Sequence, residues 1–330
     1  MKSKDLIIAN IKAALNKKNI SQRQFADMLN KNEVAVSRWL SGRVGISSTS
    51  IIAINEVLGM DITIDPNANA GLKRTKTGQD VVSKNYAIIL AGGVGSRVGA
   101  DRPKQFVEIL GKPVLAYTIE AYQNHPEIDG IEVVCVKSHV DYLKEMVSKY
   151  NYNKVKWICL GGATFQDSVY NGVQNLDGEI NGRDVVMIHY GAAPFTSAKI
   201  ISDAIRVCHE KGNAVSATPC FQLMGSNDGN DMSRNWVDRD KYVQIACPQC
   251  FKFNYIQQLY EEAIDKNLLS KVEPHTTSLM YLMGRTLHLS YGDQSNVKIT
   301  TKEDLDLFEG YVLMKLHKEG KIKVEQYIER

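Results

Sequence analysis

The chain has no apolar run of the roughly 18–20 residues that a membrane-crossing helix needs. Its first residues, with Lys2, Lys4 and Asp5, offer no apolar core of a secretion signal. Both absences point to a cytoplasmic protein. Cysteine is sparse, six in 330 residues, and C-x-x-C spacing occurs only at Cys247-Pro-Gln-Cys250. Without a second pair or a nearby histidine, this spacing reads as two structural thiols ahead of a redox or zinc site. Known phosphate loops are lacking too: no Gly-Lys-Ser/Thr closes the glycine loop, and Gly93, Gly95 and Gly99 miss the G-x-G-x-x-G register by one residue.

At 330 residues with 44% hydrophobic content, the chain has material for two domains. Charge divides unevenly between them. Residues 1–84 carry 13 Lys+Arg against 7 Asp+Glu, whereas residues 85–330 carry 27 against 30. A basic head on a mildly acidic body suggests that the head alone meets nucleic acid.

In the head, Leu6, Ile7, Ile11, Ala14 and Leu15 recur at helical spacing. Ser21 can cap a second helix that buries Phe25, Ala26 and Leu29, and a third from about Asn32 to Leu40 buries Val36 with Trp39 or Leu40. A fourth, from Thr49 to Leu58, stops at Gly59. Residues 67–84 are polar and aperiodic and read as a linker. Beyond them, strand candidates at 87–90, 131–136, 156–159, 185–189 and 214–217 alternate with helical stretches at 117–123, 139–149, 165–173 and 197–211. Such alternation predicts an α/β domain with a mostly parallel sheet, its ligands at the carboxyl ends of the strands.

The run from Leu90 through Ala91, Gly92, Gly93, Gly95 and Arg97 to Pro103-Lys104-Gln105-Phe106 sits at such an end. Glycines let backbone N–H groups approach an anion, and Arg97 and Lys104 add charge. A plain strand-to-helix turn is the alternative on glycines alone.

The head resembles the Cro/C1 (XRE-type) helix-turn-helix family over about residues 5–64, on Ser21-Gln22…Phe25-Ala26…Leu29 and Val36-Ser37-Arg38-Trp39-Leu40-Ser-Gly42. That resemblance implies that Asn32, Glu33, Ala35, Val36 and Arg38 open or line a DNA-reading helix, with Gln22 and Ser37 near phosphates. A small helical bundle making only protein contacts is the competing reading, because a net +3 over residues 1–66 is modest.

Over about residues 85–318 the body resembles the IspD/TarI cytidylyltransferases, nucleotidyltransferases with a doubly wound, Rossmann-like sheet. The match rests on ordered motifs: Ala91-Gly-Gly-Val-Gly-Ser-Arg97, Pro103-Lys104-Gln105-Phe106, Gly161-Gly162…Asp167-Ser168, His189…Pro194, Val237-Asp238-Arg239, Pro248-Gln249 and Asn296-Val-Lys298. The resemblance implies transfer from CTP to a sugar-alcohol phosphate with release of pyrophosphate. It gives Arg97, Lys104 and Lys298 to the triphosphate, Arg239 to the acceptor's phosphate, and Gly161, Gly162 and Ser168 to cytosine and ribose. An arm at about Pro219–Val237 would clasp a second subunit in a homodimer.

The chain departs from the family where the family binds acceptor and metal. A metal-binding aspartate is Tyr190 and an acceptor-binding arginine is Ala193. Two threonine positions are Leu223 and Cys247, an arginine is Phe165, and an acidic segment reads Pro274-His275-Thr276. Mg²⁺ is expected on CTP itself, with Asp293 and Asn296 as candidate oxygens. Two functions follow: a cytidylyltransferase whose acceptor is not methylerythritol phosphate, or a DNA-binding regulator that senses CTP or a CDP-alditol.

Overall fold

A computed structural model describes residues 3–29, 31–41, 46, 48–60, 83–93 and 102–323. The head comprises α1 (Ser3–Lys18), α2 (Gln22–Met28), α3 (Glu33–Leu40) and α4 (Ser48–Leu58). Ser21 starts α2 by a reciprocal cap: its hydroxyl accepts from the Gln24 N–H, and the Gln24 side chain accepts from the Ser21 N–H. Ile11, Phe25, Val36 and Ile54 are fully buried between the four helices, and Gly59 leaves α4 at φ +59°. Most of the predicted linker, like Asn30 and Gly42, lies outside the described residues.

The body begins with β1 (Asn85–Ala91), followed by β2 (Glu108–Ile109), β3 (Lys112–Pro113), α5 (Val114–Gln123), β4 (Gly130–Cys135), α6 (Val140–Lys149), β5 (Val155–Leu160), α7 (Phe165–Asn175), β6 (Val185–Tyr190), α8 (Ala198–Lys211) and β7 (Asn213–Pro219). A small hairpin of β8 (Met224–Gly225) and β9 (Trp236–Val237) precedes β10 (Val243–Lys252), α9 (Phe253–Asp265), α10 (Thr276–Leu282), β11 (Leu289–Tyr291) and α11 (Lys302–Lys318).

Among the described residues, seven strands form one sheet in the order β11-β7-β10-β6-β1-β4-β5. β1 pairs in parallel with β4 and β6, and its near-continuous apolar run suits a strand covered on both faces. β10 runs antiparallel between β6 and β7, so the sheet is mixed. Its ladder shifts between Ala246 and Gln249, where Pro248 has no N–H to donate. One face is covered by α5, α6 and α8, with Leu115, Ile119, Leu143 and Ile201 in the core. The other is covered by α7, α9 and α10, and its apolar cluster runs on without a break into Trp39, Leu40 and Ile54 of the head.

Candidate active site

Six strands, all but β10, run the same way and deliver their carboxyl ends to one edge of the sheet. Gly92 and Gly93 leave β1 there, and the Gln105 amide donates to the Ala91 carbonyl (2.9 Å) and the Gly93 carbonyl (2.7 Å), which fixes the start of the loop. Gly95 and Arg97 lie outside the described residues. Across the edge, Gly161 and Gly162 follow β5. Ser168 on α7 accepts from the Gly162 N–H (3.0 Å) and donates to the Thr164 carbonyl (2.9 Å). A Cβ on Gly162 would stand 2.2 Å from that of Asp167, so only glycine fits beside this helix start.

Between the two glycine pairs opens a cavity of about 520 Å³ bordered by Gly92, Gly93, Lys104, Gly162, Ser168 and Lys298. The sequence nominated all six. Ala91 and Gly161 stand just behind them, Ala91 fully buried in β1 and Gly161 packed on Gly92 and Ser168. The Lys104 ammonium donates to the Ile299 carbonyl (2.6 Å), and the Ile299 N–H donates to the Ala192 carbonyl (2.8 Å). That link brings Lys298, nearly two hundred residues along the chain, to the same wall.

Tyr190 closes the far side of the cavity. Its hydroxyl bonds to His275 Nδ1 in a very short contact and accepts from the Gln249 amide (3.1 Å). The Lys298 ammonium stands over its ring at 3.9 Å, a favourable approach of a cation to an aromatic face. Burial pushes the Tyr190 hydroxyl above its ordinary pKa, while burial and the Lys298 charge push His275 down. Both side chains are therefore uncharged at neutral pH. Phe165 lies near both rings. The sequence marks Tyr190, Phe165 and His275 as departures but gives no sign that they meet.

Beyond Tyr190 lies a second cavity of about 230 Å³, with Ser216, Thr218, Gln244, Asp293, Asn296 and Cys247 on its walls. Lys298 and Tyr190 border both spaces. Asn296 donates to the Cys247 carbonyl (2.6 Å) and accepts from Thr196 (2.9 Å), so its amide is committed to holding the wall. Neither Ala193, which is 1% exposed, nor Leu223, which is 74% exposed on the hairpin, borders either cavity. Arg239 also stands apart: it is exposed and donates to the Phe221 carbonyl.

His189, buried on β6, bonds to Tyr122 (2.8 Å) and the Ala193 carbonyl (3.0 Å), and burial pushes its pKa down to about 4. It is a packed neutral imidazole. Burial also pushes Cys247 up to about 12 and Cys250 well upward, so both remain thiols. No described residue lining the larger cavity is a carboxylate, and no group of three or more His, Cys, Asp or Glu suited to a metal occurs among the described residues. Asp293 binds its own loop at Ser295, 3.0 Å from the N–H. The described side chains thus do not make up a Mg²⁺ ligand set.

In the head, Glu33 and Ser37 are exposed and Gln22 is half-buried, while Ala35 lies on α3 beside them. Val36 is fully buried in the helical core and presents nothing outward, because it lies on the side of α3 that packs into the head's core beside α1 and α2. Asn32 and Arg38 turn to the body: the Asn32 amide donates to the Ile264 carbonyl (2.8 Å), and the Arg38 guanidinium lies 5.6 Å from the centre of the Tyr170 ring.

Residues 85–314 match the model of the 2-C-methyl-D-erythritol 4-phosphate cytidylyltransferase (IspD) family. The chain belongs to that family. Residues 11–64 match a helix-turn-helix model. A ribitol-5-phosphate cytidylyltransferase of Lacticaseibacillus paracasei is 36% identical over 226 residues, which cover 68% of this chain and 97% of that protein. A 2-C-methyl-D-erythritol 4-phosphate cytidylyltransferase of Clostridium perfringens is 37% identical over 231 residues, 70% of this chain and all of that protein. Among solved structures, the 4-diphosphocytidyl-2C-methyl-D-erythritol synthase of Anaerococcus prevotii superposes with a TM-score of 0.58 at 26% identity, covering 70% of this chain and 98% of that one. This IspD-family body carries its helix-turn-helix head in front of the matched region.

Proposed function

We propose that the chain transfers a cytidylyl group from CTP to the phosphate of a short open-chain polyol, a pentitol phosphate rather than methylerythritol phosphate, giving a CDP-alditol and pyrophosphate. One observation carries the reading: Lys298 borders both cavities, so a nucleotide in the larger and a polyol phosphate in the smaller would meet beside one cation. In the reaction an acceptor phosphate oxygen bonds to the α-phosphorus of CTP. The bond to the bridging oxygen breaks, and its electron pair leaves with pyrophosphate. Charge grows on that leaving group, and positioned cations are the main resource for lowering the barrier. Lys104 and Lys298 supply it here, and the family resemblance gives Arg97 the same task. Mg²⁺ comes as a complex with the CTP phosphates. Gly161, Gly162 and Ser168 frame cytosine and ribose and favour a pyrimidine.

Ser216, Thr218, Gln244 and Gln294 set hydroxyl and amide groups among the apolar side chains of the smaller cavity's wall, as a polyol with a carbon chain needs, and Tyr190 with His275 presents a neutral face where the family resemblance expects a metal-binding aspartate. Arg239, remote from both cavities of its own chain, acts in the site of a second subunit. DNA binding by the head is a second activity, supported by the helix-turn-helix match and the exposed Glu33 and Ser37 on α3. Pyrophosphate release from CTP is the test, measured with ribitol phosphate, glycerol phosphate and methylerythritol phosphate. Turnover of the first well above the third is expected. Equal or better kcat/KM for methylerythritol phosphate, or no release with any polyol phosphate, would overturn the assignment.

A further inference from the structure

Part of the side of the head assigned to DNA is turned to the body, although Glu33 and Ser37 stay exposed. Lys31 pairs with Asp265 at the end of α9, Asn32 donates to the Ile264 carbonyl (2.8 Å), and Arg38 lies over Tyr170 of α7. Trp39, only 6% exposed, closes the same seam. The body answers with acid: Glu261 and Asp265 border the seam, and Glu261 is buried enough to raise its pKa to about 7. Lys31, a cation that would meet phosphate in a DNA complex, thus meets a carboxylate here, and Arg38 meets an aromatic ring.

We infer that the acidic α7–α9 surface is the resident partner of the reading helix and that DNA must displace it before the head can bind. The inference rests on the reading of the head as DNA-binding. Steric and electrostatic arguments agree. A recognition helix enters a major groove about 12 Å wide, with phosphates on both flanks. With α9 against one side of α3, one of those flanks would fall on Asp265 and Glu261, where space is taken and the Asp265 carboxylate carries charge of the same sign. The contact is also displaceable, since Lys31 and Asp265 are both part-exposed and such ion pairs contribute little and are screened by salt.

The full-length protein tests this with Asp265→Lys. A control, Glu210→Lys, makes the same charge change on α8, across the sheet from the head. Binding to a random-sequence duplex pool is read by fluorescence anisotropy and exposure of α3 by hydrogen exchange. Asp265→Lys is expected to tighten DNA binding ~10-fold, equivalent to about 1.4 kcal/mol, and to speed exchange of the α3 amides, while Glu210→Lys behaves as wild type. The pair Lys31→Asp with Asp265→Lys is expected to restore α3 protection, which separates release from misfolding. Equal DNA affinity in wild type and Asp265→Lys, equal tightening by Glu210→Lys, or unaltered α3 exchange would each refute masking. If Asp265→Lys exposes α3 and none of the proteins binds DNA, the DNA-binding reading falls and the competition with it.

Discussion

Lys104 and Lys298 converge because one donates to the carbonyl of the residue after the other. Removing the first leaves the second beside a leaving group whose charge needs both. Lys104→Ala is expected to lower kcat by ~10²-fold, the usual cost of losing one preorganised charge, with little change in thermal midpoint. Wild-type turnover in that variant would remove Lys104 from the mechanism. Glu132 gives a prediction of another kind. It is fully buried on β4 with Asn175 donating to it (2.7 Å), and burial pushes its pKa from 4.5 to about 8. A raised carboxyl pKa means that the folded state keeps a proton that the unfolded chain gives up. Its contribution to stability is full below pH 4.5 and is lost as pH rises toward 8. Glu132→Gln should therefore match wild type near pH 4.5 and exceed it by about 2 kcal/mol or more at pH 8. Denaturant unfolding at the two pH values checks this, and a variant less stable at pH 8 would contradict it. At this scale the place of Lys104, Lys298 and Ser168 at one cavity was legible because their residue types and motifs state their chemistry. The Tyr190–His275 bond was not, because 85 residues separate its partners and only the topology brings them together.

Among the elements, α7 does the most with the least sequence. Thr164 and Asp167 cap it reciprocally, Ser168 on its first turn holds the Gly162 N–H, and Tyr170 on its second meets the head. Because the Gly162 Cα lies against Asp167, Gly162→Ala cannot be absorbed by a side-chain rotation. It should push the loop off the helix start, raise KM for CTP, and lower the thermal midpoint by several degrees, the range of a 1–3 kcal/mol defect. Unchanged KM and midpoint would show that the loop yields. The strands β1, β4, β5, β6 and β7 and the head helices were readable from apolar alternation, caps and Gly59, whereas the two-residue strands β2 and β3 are too short to carry a pattern. β10 was not, because Pro248 interrupts its pattern and its antiparallel place between two parallel partners has no local signature. The elements α9, α10 and α11 follow it and were likewise unread, and with them the contact of α9 with the head.

For the molecule as a whole, the hairpin between β7 and β10 forms a two-stranded sheet of its own, which pairs with no other strand among the described residues. Residues 228–232 form its tip, with Gly229, Asn230 and Asp231 all at positive φ, a turn their side chains tolerate. Its flanks expose Phe221 (56%), Leu223 (74%) and Trp236 (69%), large apolar groups that single chains rarely leave in water together. The expected assembly is a two-fold dimer through this arm, twice 36.9 kDa by light scattering, with Trp236→Asp giving single chains. In that dimer Arg239 would serve the neighbour's cavity while Lys104 serves its own, so two inactive variants can repair each other. Mixing Lys104→Ala with Arg239→Ala protein at equal amounts makes half the dimers mixed. Each mixed dimer has one site with both defects and one with neither, so about one quarter of wild-type turnover should return if subunits assort freely. Recovery absent at concentrations where the dimer persists and exchanges would place Arg239 in its own subunit's chemistry, or outside the chemistry altogether.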